Sequence, residues 1–306
     1  MRIIETIAEM RKLRRQSGLV CLVPTMGSLH QGHRRLIEAA AERGGLTVVS
    51  IFVNPLQFGL GEDYDLYPRD LAQDVAASRA AGADVVFAPA VSEIYPPGSE
   101  ATRIELGPIT QVLCGRTRPI HFSGVATVVA KLFHIVEPNF AFFGAKDAQQ
   151  VAVIRRMVRD LNFDVDLVRV PTVREANGLA CSSRNRYLTD QERERAGALR
   201  RALTAAQGLY ARGERRQAAL IAQVSAILKT ADITPEYVEV RSWDGLTSLG
   251  DTLDESPALL ALAAWMGKAR LIDNVLLGAD REEQAAVRDQ SGEGPVARGQ
   301  SVQRRG

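Results

Sequence analysis

Apolar and polar positions along the chain follow two rhythms. Short, nearly unbroken apolar bursts recur as "LVCLVPT" (19–25), "LTVVSIFVNP" (46–55), "DVVFAPA" (84–90), "FAFFGAKD" (140–147) and "VDLVRVPTV" (165–173). Each has the length of a buried strand, and the second is stopped by Asn54-Pro55. Between them lie stretches with helical spacing. "GHRRLIEAAAERGG" closes on glycines, 68–83 and 148–162 carry one apolar face, and "GVATVVAKLFHIVEP" (124–138) ends at Pro138. Strands alternating with helices of this length predict an α/β protein whose parallel sheet is covered on both faces.

The rhythm changes after "SSRNRYL". Thr189 and Glu192 form a T-x-x-E capping box, which predicts a long amphipathic helix running to about Arg212. A second helix follows over 214–230, and then strand candidates at 236–242, 258–266 and 269–277. The expected organisation is a larger domain over 1–175 and a smaller α+β domain over 176–280. A polar tail over 281–306 lacks apolar periodicity and is expected to be disordered. No internal repeat is found.

Composition narrows the class. The 306 residues can bury a sizeable core, and 46% hydrophobic with 24% charged residues is an ordinary globular balance. A net charge of +2 offers no footprint for nucleic acid. Cys21, Cys114 and Cys181 are scattered, with no C-x-x-C pair, which argues against a disulfide framework or zinc knuckle and for a reducing compartment. The N-terminus "MRIIETIAEMRKLRRQSG" has no uninterrupted apolar core of a signal peptide, and no run has the length of a membrane span. A soluble, cytoplasmic protein without membrane or nucleic-acid partners is expected.

Ligands of open α/β sheets gather where strand ends lead into helices, and several polar clusters fall at such places. In "VPTMGSLHQGHRRLIEAA", His30 and His33 stand at a strand-to-helix elbow. The unpaired N–H groups and positive dipole of a helix start favour an anion, and Gly27 and Gly32 let backbone approach a phosphate. Two surface histidines or a metal pair would read the same way, although no further ligand sits at zinc spacing. In "FFGAKDAQQ", Lys146 can neutralise phosphate and Asp147 can hold a ribose or a metal-bound water, or the two are a solvated helix start. In "GLACSSRNRYL", Ser182, Ser183 and Arg184 offer hydroxyls and a guanidinium suited to phosphate oxygens. "SIFVNPLQF" ends in Asn54 and Gln57, uncharged donors and acceptors suited to hydroxyl and carboxylate groups, or a plain Asn-Pro turn.

Taken together and in order, "TMGSLHQGH", "NPLQF", "YPRD", "RPIHFSGVATVVAKLF", "FFGAKDAQQ" and "PTVREANGLACSSRNRYL" resemble the pantothenate synthetase (pantoate–β-alanine ligase) family to about residue 278. The H-x-G-H elbow alone resembles the wider nucleotidyltransferase superfamily. The resemblance implies a Rossmann-like, doubly wound parallel sheet, a smaller C-terminal lid domain and a homodimer. It also implies ATP and Mg²⁺, with pantoate activated as pantoyl adenylate, pyrophosphate released, and β-alanine attacking to give pantothenate and AMP.

Carried over by residue, the resemblance assigns ATP to Met26, Gly27, Ser28, Leu29, His30, Gln31, Gly32 and His33, with His33 as proton donor. It assigns the nucleotide also to Gly144, Ala145, Lys146 and Asp147, and to Val173, Cys181, Ser182, Ser183 and Arg184. Gln57 would bind pantoate and β-alanine, and Gln150 pantoate. The catalytic group would be His33, His30, Lys146, Ser182, Ser183 and Arg184, with no protein metal ligand. Cys181 stands where the family usually has Met or Leu.

Rival readings predict different residues. A sister nucleotidyltransferase would keep the elbow without "NPLQF" and "KDAQQ". A dinucleotide oxidoreductase would carry G-x-G-x-x-G after its first strand, and that motif does not occur there. A non-catalytic binding protein would be expected to lose His33, Lys146 or Arg184.

Overall fold

The computed structural model describes residues 1–59, 61–62, 64–97 and 102–278; the tail expected over 281–306 lies outside the described residues. Six parallel strands form the main sheet: β1 (Arg2–Ile4), β2 (Val20–Thr25), β3 (Leu46–Ile51), β4 (Val85–Phe87), β5 (Phe140–Gly144) and β6 (Asp166–Val170). Their order is β1-β4-β3-β2-β5-β6, so the chain winds outward in both directions from the adjacent pair β2 and β5. The carboxyl ends of that pair mark the crevice where a doubly wound sheet takes its ligand.

Strand periodicity explains the layers. Val20 and Leu22 of β2 point to the face packed by α1 (Ile7–Arg14), α5 (His121–Val136) and α6 (Ala148–Asp160), through Met10, Phe133 and Met157. Cys21 and Val23 point to the other face, with Leu36 and Ile37 of α2 (Gln31–Glu42). Both faces are covered, so β2 reads as a continuous apolar run rather than an alternating one. The helix α3 (Leu71–Ala80) precedes β4, and the short α4 (Val91–Ile94) follows it. No helix of the described residues is long and apolar enough to cross a membrane.

The C-terminal portion carries α7 (Asp190–Ala196), α8 (Ala198–Ala211), α9 (Gln217–Thr230) and an antiparallel sheet of β7 (Pro235–Ser242), β8 (Ala258–Met266) and β9 (Ala269–Leu277). In β8, Leu260, Leu262 and Ala264 pack on Leu203 and Leu220 of α8 and α9. Leu259, Ala261 and Ala263 join the core of the main sheet instead. That double burial accounts for the unbroken apolar run over 258–264, although the sheet is antiparallel; Trp265 beyond it is exposed.

Two elements differ from expectation. The helix from Thr189 is interrupted at Gly197: Asn177 Nδ2 takes the Arg193 carbonyl at 2.8 Å, and the Gly197 N–H donates to Glu194 instead. The first eighteen residues, for which no element was predicted, form β1 and α1. Thr6 caps α1 by accepting from the Glu9 N–H at 3.3 Å, the same T-x-x-E signal that marks Thr189.

Candidate active site

The loop leaving β2 turns sharply, with Gly27 at φ 80° and Ser28 at φ 51°. The buried Asp74 of α3 holds the turn: its carboxylate accepts from the Ser28 and Leu29 N–H groups, each at 2.8 Å. A Cβ on Gly27 would stand 2.7 Å from that carboxylate, so glycine is needed there to admit Asp74. Gly32 likewise makes room for the His30 ring, 2.8 Å from where its Cβ would be.

His30 is the N-cap of α2. Its Nδ1 accepts from the Gly32 N–H at 3.1 Å, and His33 Nδ1 accepts from the His30 N–H at 3.4 Å. The pair forms a capping box made of imidazoles, with ring centroids 4.0 Å apart. Each Nδ1 is an acceptor, so each neutral ring carries its proton on Nε2 and offers one N–H donor. Burial pushes the His30 pKa down to about 4, and the charge of Lys146 pushes the same way. His33 lies well below the ordinary value, again through burial first and then through His30 and Lys146. Both rings are therefore neutral donors at pH 7.

Across the crevice, β5 leads through a short turn, Ala145–Asp147, into α6. The Lys146 ammonium is 3.6 Å from Asp147. Asn274 of β9 clasps this turn, its Nδ2 donating to the Ala145 and Lys146 carbonyls at 3.0 and 2.8 Å. The next residue back, Asp273, is buried and paired with both Nη atoms of Arg174 at 2.7 and 3.0 Å.

A third segment closes the ring. Ser182 caps the turn Ser183–Tyr187 by accepting from the Arg184 N–H. Behind it the buried Asn185 donates to Glu175 and Ala180, and Arg193 grips Glu175 with two 3.0 Å bonds.

The fourth wall is the turn after β3. Asn54, fully buried, donates to Gln57 Oε1 at 3.1 Å and to the Gly124 carbonyl at 2.9 Å, and accepts from the Tyr95 hydroxyl. Gln57 Nε2 donates to Met26 Sδ, a weak acceptor. The Gln57 carbonyl accepts from His121 Nδ1 at 3.0 Å, which fixes the opposite tautomer there. Burial, aided by Arg118, pushes His121 down to about 4.

These segments surround a cavity of about 680 Å³, within the usual range for small-molecule sites. Met26, His30, His33, Gln57, Lys146, Asp147, Gln150, Ser182, Ser183 and Arg184 line it. Gly27, Ser28, Leu29, Gln31, Gly32, Gly144, Ala145, Val173 and Cys181 belong to the same segments but are not on that lining. The two adjacent glutamines of α6 both reach the cavity lining, but Gln149 is buried and its amide is spent on the Cys114 N–H and the Ile109 and Val112 carbonyls. Asp74 and Asn274, which shape the site from distant parts of the chain, carried no signal in the local sequence. A further wall also went unread: Tyr237 and Cys114, 3.2 Å apart, with Arg270 donating to the sulfur and paired with Glu236.

Cys181 is tied by its backbone, its N–H donating to the Val173 carbonyl at 2.9 Å. Replacing it with Met or Leu keeps that bond, so Cys181→Met is expected to change the KM for ATP less than about tenfold. Initial rates at varied ATP check this.

The depressed histidines make stability pH-dependent with a definite sign. Unfolded imidazoles titrate near 6.5, while His30 and His121 in the fold titrate near 4. Between those values the unfolded chain binds more protons, so stability falls as pH drops from about 6.5 to about 4 and is unaffected by these groups above that window. Imidazole NMR should place both midpoints near 4; a midpoint near 6.5 in the folded protein would contradict the burial.

The family model described as pantoate-beta-alanine ligase matches residues 2–276. The pantothenate synthetase of Moorella thermoacetica is 50% identical over 283 residues, covering 90% of this chain and 99% of the relative. The crystal structure of pantothenate synthetase from Thermus thermophilus superposes with a TM-score of 0.84 at 45% identity, covering 91% of this chain and all of that one (100%). The pantoate-beta-alanine ligase of Francisella tularensis, complexed with beta-gamma ATP and beta-alanine, gives a TM-score of 0.72 at 34% identity, covering 92% and 99%. The chain belongs to the pantoate–β-alanine ligase family.

Proposed function

We propose that the protein condenses (R)-pantoate with β-alanine, consuming ATP and releasing pantothenate, AMP and pyrophosphate. The observation that carries this reading is one cavity shared by the imidazole elbow, Lys146, the Ser182–Arg184 segment and the two glutamines Gln57 and Gln150. The lining carries cationic and neutral donors, as a polyphosphate requires, together with uncharged amides suited to sorting hydroxyl and carboxylate oxygens.

The pantoate carboxylate attacks the α-phosphorus of ATP, and the bond to the β-phosphate oxygen breaks, giving pantoyl adenylate and pyrophosphate. The β-alanine amine then attacks the acyl carbon and AMP leaves. In this reading the His30 and His33 Nε2–H groups, the Lys146 ammonium, the two serine hydroxyls and Arg184 stabilise the charge that builds on phosphoryl oxygens, and none forms a covalent intermediate. Asp147 holds the ribose. Gln57 exchanges the weak thioether acceptor of Met26 for a pantoate oxygen, and Gln150 completes the pantoate contacts. Gly27, Ser28, Leu29, Gln31 and Gly32 on the elbow, Gly144 and Ala145 before the lysine, and Val173 with Cys181 shape the nucleotide pocket through their backbones.

Among the described residues, no group of three His, Cys, Asp or Glu side chains could hold a metal ion. Mg²⁺ commonly rides on substrate phosphates with one or two carboxylates and water, and Asp147 beside Lys146 is a carboxylate on the right wall. Bound with the nucleotide, Mg²⁺ would supply charge neutralisation. The same proposal includes a 1–175 nucleotide-binding domain under a 176–280 lid, a homodimer, and a cytoplasmic location.

Pyrophosphate exchange tests the reaction order. With pantoate, Mg²⁺ and ATP but no β-alanine, labelled pyrophosphate should enter ATP. With β-alanine added, pantothenate and AMP should accumulate together. Release of ADP without exchange would point to a pantoyl phosphate and overturn the proposal.

A further inference from the structure

A side-chain bridge joins two segments just outside the cavity lining. Arg186 extends from the turn Ser183–Tyr187; its Nε donates to the Ser183 carbonyl at 2.9 Å, and its Nη2 donates to the Ser28 hydroxyl on the elbow. Ser28 is held in place by its φ of 51° and by the bond from its N–H to Asp74, so the hydroxyl is presented on a fixed backbone. Arg186 is exposed, and among the described residues it makes no ion pair with a carboxylate. Its charge is felt at His30, in the same direction as that of Lys146.

A guanidinium offers five N–H donors in a rigid fork. Here the two contacts go to neutral oxygens, so the fork keeps its whole charge. It stands at the edge of a cavity whose lining already includes Lys146 and Arg184. An anionic oxygen is a stronger acceptor than a hydroxyl, so a phosphate reaching this edge would take the donor from Ser28.

We propose that Arg186 is a further ligand of the outer phosphates of the nucleotide: its guanidinium leaves the Ser28 hydroxyl and binds an oxygen of the pyrophosphate that departs. This inference rests on the ATP-dependent reading above. In the resting protein the Ser28–Arg186 bridge spans from the elbow to the Ser182–Arg184 segment. With nucleotide bound, the same side chain holds the β- and γ-phosphates at the edge of the cavity.

The test compares ligands that differ only in those phosphates. In the exchange assay, Arg186→Gln is expected to raise the KM for both ATP and pyrophosphate by about tenfold, as loss of one charge-assisted hydrogen bond would. Inhibition by AMP, which lacks the outer phosphates, should be unchanged, and Arg186→Lys should recover part of the loss. Because the side chain is exposed, the urea midpoint of Arg186→Gln should match the wild type. Unchanged constants for ATP and pyrophosphate, or an equal weakening of AMP, would overturn the assignment. The parent reading fails separately: if the wild type shows no pantoate-dependent exchange, the function falls and this inference falls with it.

Discussion

Replacing Lys146 with alanine is expected to slow pantoate-dependent exchange of pyrophosphate into ATP by at least 10²–10³, on the order of 3–4 kcal/mol of lost transition-state stabilisation. The lysine side chain is only 19% exposed, and its ammonium lies 3.6 Å from Asp147 on the wall facing the elbow. Charge developing on the transferred phosphoryl group would meet this full positive charge in a partly dry site, where Coulomb interactions are stronger than in water. His33→Ala removes one neutral donor and should cost a comparable factor at the low end of that range. The two variants separate in a second measurement. Lys146 depresses the His30 pKa, so Lys146→Ala should move the His30 midpoint upward from about 4 while leaving the fold intact. A Lys146→Ala protein that exchanges at the wild-type rate would remove the lysine from the chemistry.

Gly124→Ala is expected to damage the site without touching any group that would contact substrate. Near the start of α5, a Cβ at this position would fall 2.3 Å from the Leu56 carbonyl oxygen and 2.6 Å from Gln57 Cα. These are backbone atoms of the turn that carries Gln57, and the same turn is pinned through Asn54 to the Gly124 carbonyl. Neither side can yield by rotating a side chain. Overpacking of this kind costs about 1–3 kcal/mol or more, and the relief available is to push the turn away from α5. The expected result is a lower urea midpoint together with a raised KM for pantoate, while the KM for ATP changes little. If the KM for pantoate stayed at the wild-type value, Gln57 would not be a pantoate ligand or the turn would have absorbed the methyl group elsewhere.

The layered α/β architecture was legible because burial on both faces leaves a simple mark: β2, β3 and β5 are short apolar runs between helices of matching length. The interruption at Gly197 was not legible. It arises from Asn177, twenty residues earlier, whose amide competes for a helix carbonyl. At the elbow, the positions of the two imidazoles were readable from H-x-G-H, but the role of Gly27 was not. Its partner Asp74 reaches it from α3, and a carboxylate that far along the chain leaves no periodic trace. Gln149 and Gln150 show the limit most sharply. Adjacent and chemically identical, both reach the cavity lining, but the helix buries one with its amide engaged by the packed loop at 109–114 and leaves the other half-buried.

The clasp of Asn274 on the lysine turn has a consequence in time as well as in space. A growing chain will have made every residue of the elbow, the lysine turn and the Ser182–Arg184 segment long before it makes β9. Until Asn274 docks, the carbonyls of Ala145 and Lys146 lack the amide that holds them in the finished protein. The turn carrying the lysine is thus secured only once β9 has been made. During synthesis, binding groups complete in sequence would still be unfinished in geometry, and competence would arrive with β9 rather than accumulate along the chain.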